Sequence, residues 1–348
     1  GLRKTIDSKI PTITKSPALL PEYQVIDDLK ASVGFDDLNI SLPSTGGDWK
    51  SMGPTNLGGR VKSLATVPHS STALFAGAAE GGFYRLIGNW WFPTTDEMPS
   101  LSIGAIAVAP SNSNIIYVGT GEYWSSKMGI PATSYAGIGV YRSTDNGWHW
   151  QALPLNNQLS TRISRIIVHP NNPNLVYVAG NKGIHRWSEA LQAWKRISTR
   201  DTTDLIMHPN NPDILYAGME DLQGVQKTTN PISLNPTWTA MNTGLTLTVR
   251  VPHFIKLAIS PSDPSILYAH MNHETYDQEK EKWVAVNTRT YRYNGTEWKL
   301  IGSDVAGHSQ TSWCSFVRVH PHNPDRVFVG GVKVAWTPDA GTNWYELN

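Results

Sequence analysis

Six times along the chain an apolar run enters a short turn, emerges into a second apolar run, and is followed by a strand of the form Trp-x-x-apolar. The first halves are 65–77 (ATVPHSSTALFAG), 105–119 (AIAVAPSNSNIIYVG), 165–180 (RIIVHPNNPNLVYVAG), 204–218 (DLIMHPNNPDILYAG), 256–270 (KLAISPSDPSILYAH) and 316–330 (FVRVHPHNPDRVFVG). Runs rich in Val, Ile and Tyr suit a pleated, half-buried strand. Between them proline cannot donate to a ladder, and a neighbouring Asn or Asp bonds its own backbone, so each pair reads as a hairpin. A third run follows, such as 82–86 (GFYRL), 137–143 (GIGVYRS), 183–188 (GIHRWS) or 332–337 (VKVAWT), and then the tryptophan strand. Self-similarity at roughly 40 to 60 residues marks a radial array. Four strands per unit predict an all-β fold, a β-propeller of four-stranded blades.

The tryptophan strands are Trp91 with its neighbours, Trp150-Gln-Ala-Leu153, Trp194-Lys-Arg-Ile197, Trp238-Thr-Ala-Met241, Trp298-Lys-Leu-Ile301 and Trp344-Tyr-Glu-Leu347. A seventh copy, Trp49-Lys-Ser-Met52, precedes the first hairpin and has no unit of its own. It fits the outer strand of a last blade that closes the ring by pairing the two chain ends. Blade six already owns Trp344, so the expectation is six encoded blades plus an orphan strand of a seventh, in a precursor that continues past Asn348. The competing reading packs Trp49 on blade six as a fifth strand.

The propeller is assigned to 46–348, incomplete at its C-terminal side, and 1–45 to an extended N-terminal segment with Pro11, Pro17 and Pro21 and no blade pattern. The chain has 348 residues, 40% hydrophobic and 16% charged, enough for one large core. A net charge of +1 gives no electrostatic case for nucleic acid. No apolar run reaches the 18 residues of a membrane span, so membrane insertion is not expected. The single cysteine, Cys314, falls in a predicted innermost strand and reads as a small buried hydrophobe. His169, His208 and His320 recur at one repeat position before the turn proline, which makes them structural, and no metal or cofactor motif is read.

Two segments, Ser143-Thr-Asp145-Asn-Gly147-Trp-His-Trp150 and Thr337-Pro-Asp339-Ala-Gly341-Thr-Asn-Trp344, resemble the Asp-box of sialidases, sortilin-type ectodomains and xyloglucanase-type propeller hydrolases. The resemblance implies a structural turn: Asp accepts backbone N–H groups, Gly takes the strained dihedral, and Trp packs between blades. A second resemblance rests on Gly53-Pro-Thr-Asn-Leu-Gly-Gly-Arg60-Val, Ala76-Gly-Ala-Ala-Glu80-Gly-Gly82 and Gly119-Thr-Gly-Glu122. This set is similar to the BNR-repeat, sortilin-like or glycosyl hydrolase-like group of secreted bacterial proteins. It implies a secreted or cell-surface location, and covers about 46–348.

In such a ring the loops joining second to third strands, and one blade to the next, gather on one face around the channel mouth. That face collects Arg60, Glu80, Glu122, Arg162, Asn181, Asp201, Glu220, His273 and His308. Two insertions break the repeat there, about 122–136 and 273–288, and bring Tyr123, Trp124, Tyr135 and Trp283 to stack on a sugar or grip a peptide. The leading expectation is therefore recognition of a glycan or an extracellular protein, the missing C-terminal part of the precursor included. Arg60, Tyr123, Trp124, Tyr135, Arg162, Glu220 and His308 are the ligand-binding candidates. The alternative is an endo-acting glycoside hydrolase with Glu80 and Glu122 as its catalytic pair, since that reaction needs two carboxyl groups flanking the bond. In xyloglucanase-type enzymes the matching loop resembles Thr-Asp-x-Gly-Gly and supplies a catalytic acid, with substrate held between two propellers; Glu80-Gly-Gly82 stands at that place. A sialidase reading lacks the Arg-Ile-Pro motif.

Overall fold

A computed structural model describes residues 60–67, 73–123, 135–154, 159–220, 222–247, 254–277, 282–307 and 314–347, with side chains of 273–286 left aside. The orphan motif Trp49–Met52, the segment 1–45, Trp124 and His308 lie outside the described residues. The expected array is present: six four-stranded antiparallel blades in a β-propeller ring, over 61–93, 103–152, 163–198, 202–240, 255–303 and 316–347. In each, strand order in the sheet equals strand order in the sequence. The innermost strands are Val61–Thr66, Ile103–Val108, Ile163–His169, Thr202–His208, Ile255–Ile259 and Phe316–His320.

The hairpin turns fold as their chemistry dictates. Blades three, four and six bridge His169 to Asn172, His208 to Asn211 and His320 to Asn323. At each, the imidazole Nδ1 accepts a backbone N–H from two residues on, Asn171, Asn210 and His322, at 3.2 Å. An imidazole nitrogen that accepts such a bond serves the turn as a side-chain acceptor for the backbone.

The core is divided among blade interfaces. One cluster joins blades one and two through Phe75, Phe83, Ile103 and Ile116, another joins blades two and three through Tyr117, Val140, Ile166 and Trp187. Three more continue to blade six, around Leu205, Leu257 and Val317. Each inner strand packs on the next from blade one to blade six. Among the described residues, the inner strands of blades six and one meet across the central cavity instead, and Val61 and Leu64 of blade one stay exposed.

The Trp-x-x-apolar motif explains how one blade holds the next. The indole N–H of Trp238 donates to the carbonyl of Ile197, that of Trp298 to Met241, and that of Trp344 to Ile301, at 3.0, 2.6 and 2.9 Å. Each acceptor is the apolar end of the preceding blade's own motif. Between blades one and two the same place is Thr94, whose hydroxyl accepts from Trp150 at 3.2 Å. Thus tryptophan reaches backwards while the residue three positions later is reached by the blade ahead. A buried tryptophan removes about 200 Å² from water, roughly 5 kcal/mol, against about 1 kcal/mol for its hydrogen bond; burial drives the contact and the bond sets its register.

The segment around Ser143 makes the turn into the fourth strand of blade two. Asp145 Oδ1 accepts the N–H groups of Trp148 and His149 at 3.1 and 2.9 Å, and Ser143 Oγ accepts that of Gly147 at 2.8 Å. Gly147 has φ +86°, and a Cβ there would lie 2.9 Å from the Phe83 ring. The Thr337 segment repeats these bonds, Asp339 to Asn343 N–H at 2.8 Å and Thr337 to Gly341 N–H at 2.8 Å. Burial alone would raise the Asp145 carboxyl, but the bonds from His149 and Ser143 hold it below the usual carboxylate value.

Two expectations are corrected. Cys314 is exposed and stands before the innermost strand Phe316–His320, which begins where the repeat itself begins, so the thiol lies in the connection and not in the strand. The insertion at 273–288 is no irregular loop: strands Leu267–Asp277 and Lys282–Tyr293 pair continuously, apart from one shift at His273, and prolong blade five into a long hairpin. Its β-branched and aromatic residues at 275–276, 283–284 and 288 favour that extension.

Candidate functional site

The inner strands all begin at one end of the ring, so blade-to-blade connections and second-to-third-strand connections meet there. Arg60 stands just before blade one's inner strand, and Glu122 follows blade two's second strand, Ile116–Thr120, by two residues. Glu122 is wholly buried. The Arg60 guanidinium grips both its oxygens, with Nη2 to Oε2 at 2.7 Å, and Lys62 Nζ lies 3.3 Å from Oε1. The Glu122 bond raises the Arg60 pKa further, with a smaller contribution from the charge of Glu80. Burial pushes the Lys62 amine below the usual lysine value, and Glu122 opposes the shift. Glu80 is exposed at the turn before strand Gly82–Ile87. Both carboxylates therefore gather around Arg60, one beneath it and one in water.

Tyr123 turns inward. It is 2% exposed, its hydroxyl donates to Glu220 of blade four at 2.8 Å, and its ring meets Phe254, before blade five, edge-on at 5.5 Å. A blade-two residue thus crosses the end of the channel to blades four and five, tying three blades together. Glu220 is equally buried. Tyr135 is the outward aromatic: it is 51% exposed, and its carbonyl accepts the Glu122 N–H at 3.1 Å, which ties its backbone to that of Glu122. Arg162 is partly exposed in the connection to blade three. There Asn181 serves the backbone, accepting N–H groups of Thr161 and Arg162 at 3.1 and 2.9 Å. Asn272 repeats the device for Phe254 N–H at 2.6 Å.

Behind this rim lies a cavity of about 300 Å³ lined by the inner strands of all six blades. Its charged walls include Lys62, Arg165, Asp204, Lys256 and Arg318, none of them a site candidate from the sequence. Arg165, Asp204 and Lys256 share one repeat position with Ser63, Ala105 and Phe316, so a charge recurring at the register of the inner strands was the available signal.

No protein-family model matches the sequence. A xyloglucanase of Paenibacillus sp is 23% identical over 181 residues, 47% of this chain and 17% of that protein. Among solved structures, an ancestral GH74 enzyme superposes with TM-score 0.61 at 20% identity, over 87% of this chain and 40% of that one. YCF48 from Cyanidioschyzon merolae superposes with TM-score 0.54 at 12% identity, over 82% of this chain and 84% of that one, and a YCF48 bound to D1 peptide gives 0.53. The chain thus spans less than half the length of the GH74 enzyme and about a sixth of the curated xyloglucanase. These likenesses show the propeller fold, which hosts many chemistries.

Proposed function

We propose that the ring is a glycan-recognition propeller of xyloglucanase-like architecture, secreted or displayed at a cell surface, which holds its ligand on the rim of Arg60, Glu80 and Tyr135 without cleaving it. The burial of Glu122 carries this reading. Glycoside hydrolysis asks each of two carboxyl groups to face the scissile bond, one to donate a proton and one to attack or to activate water. Glu122 faces Arg60 and Lys62 instead, so its oxygens already have partners and no solvent access. The exposed ring of Tyr135, whose backbone is bonded to that of Glu122, is suited to stacking a sugar, and the exposed Glu80 carboxylate to bonding its hydroxyls. A peptide ligand on this rim is the variant of the reading that a peptide-bound propeller neighbour favours.

The second reading is a glycoside hydrolase in which Glu80 is one acid and the other comes from beyond this ring; it is favoured by the sequence likeness to a xyloglucanase. One experiment separates the two. Native gels cast with xyloglucan and other polysaccharides should retard the protein, and Tyr135→Ala should weaken retardation about fivefold. Reducing ends should not accumulate in the same mixtures. Reducing ends that vanish in Glu80→Gln would establish the hydrolase reading, and no retardation by any polysaccharide would overturn glycan recognition.

A further inference from the structure

The central cavity holds charge that the rim does not use. Four of the six inner strands send a cation into it: Lys62 from blade one, Arg165 from blade three, Lys256 from blade five and Arg318 from blade six. Asp204 of blade four is the facing carboxylate, and it is already engaged: its oxygens accept the N–H groups of Leu205 and Leu257 at 2.9 and 3.0 Å and face Arg165 Nε at 3.5 Å. Lys62 shares Glu122 with Arg60. Among the described residues, Lys256 and Arg318 reach no carboxylate at ion-pair distance; Lys256 Nζ donates to Thr203 O at 2.8 Å and Arg318 Nη1 to Val317 O at 2.7 Å. A lysine has three donors and an arginine five, so most of their capacity is unanswered by these bonds. Burial, and then the charges of Lys62, Arg165 and Arg318, bring the Lys256 amine down to about 8 against the pull of Asp204.

Lys256 is half-buried and Arg318 is open to the cavity; like charges gathered in a concave site repel one another and concentrate ions of the other sign. A fold that needed only to fill its channel would place apolar side chains there, as blade two does with Ala105 and Ile106. We propose that the central cavity is a binding site for a small oxyanion, a carboxylate- or phosphate-bearing ligand held between Lys62, Arg165, Lys256 and Arg318. Arg60 lines both this cavity and the glycan rim, but the proposal rests on the four inner-strand cations and not on the glycan reading. About 300 Å³ admits a group the size of phosphate or citrate but no folded partner.

The test is calorimetric titration of the full chain at low ionic strength, with citrate and separately with inorganic phosphate. Saturable binding with a dissociation constant below about 1 mM is expected for at least one of them. Lys256→Met and Arg318→Gln should each weaken it about tenfold or more, since each removes a charge-assisted bond, while Lys333→Met, on the exposed Lys333–Glu346 pair, should leave it unchanged. Between about pH 7 and about pH 9 the affinity for citrate, which is already fully ionised there, should fall as the Lys256 amine loses its proton; the Lys62 amine, also lowered by burial, acts in the same direction, and the Cys314 thiol, pushed up by burial, stays largely neutral. The wild-type pH profile decides the matter should either variant not fold. Binding of citrate alone assigns a carboxylate ligand, of phosphate alone a phosphate, and of both a general oxyanion site. No saturable binding of either, or binding that both variants and the pH change leave intact, overturns the proposal. Retention by polysaccharide gels should be the same for Lys256→Met and wild type, so the glycan reading and this one fail separately.

Discussion

Glu122 shows how one side chain takes its role from its surroundings. Buried beneath Arg60 and beside Lys62, it neutralises cations that start the first blade's inner strand, and it stands two residues beyond the second strand of blade two. Replacing one partner of a buried pair leaves charge stranded, which typically costs 3–5 kcal/mol. Arg60 is partly exposed, so the penalty for Glu122→Gln should be nearer about 2 kcal/mol, read as a lower urea midpoint. The matching change Glu80→Gln, in water, should leave the midpoint within about 0.5 kcal/mol of wild type. Equal losses in the two variants would show that Glu122 is not the structural member of the pair. The sequence marked both carboxylates, and Arg60, from loop position and from a family resemblance. It could not tell which of them faces water, because burial of a loop carboxylate depends on cations contributed by another blade.

At the scale of the element, the repeat unit is a device for joining neighbours. Its tryptophan donates to the carbonyl at the apolar end of the previous unit's motif in three successive interfaces, so the four-residue motif serves two blades at once. Trp298→Phe keeps most of the buried ring and loses the bond to Met241, leaving that carbonyl without its donor. The expected cost is about 1–2 kcal/mol, measurable by urea unfolding. A loss near zero would mean that packing alone sets the register. The strands, the hairpin turns and the glycines of positive φ were legible because their causes are local: β-branched runs, Pro-Asn turns, and Gly147 or Gly341 where a side chain would be strained. The long hairpin of blade five was not, since a 273–288 insertion that continues a ladder lacks the repeat by which the other strands were recognised.

For the whole molecule, stability should fall on mild acidification. His270, wholly buried in blade five with Nδ1 2.9 Å from Thr290 Oγ1, is held neutral by burial down to about pH 4. The unfolded chain takes a proton near pH 6.5 that the folded chain refuses, so stability is intact above about 6.5 and drains away as pH falls towards about 4, by up to about 3 kcal/mol. Burial also lowers His208, which adds in the same direction. The melting temperature should drop between about pH 7 and about pH 4.5 in wild type and drop distinctly less in His270→Gln. An identical drop in both would assign the acid sensitivity elsewhere. What the sequence by itself determined is the all-β propeller of four-stranded blades, the count of six and the turns between strands, because a repeat encodes local geometry and each blade interface copies the last. Only the tertiary structure decided that Tyr123 spans to Glu220, that Glu122 is sealed under Arg60, and that Lys62, Arg165, Lys256 and Arg318 converge on one cavity. Those residues are far apart in the chain, and their charges interact only once the ring has brought six inner strands around a common axis.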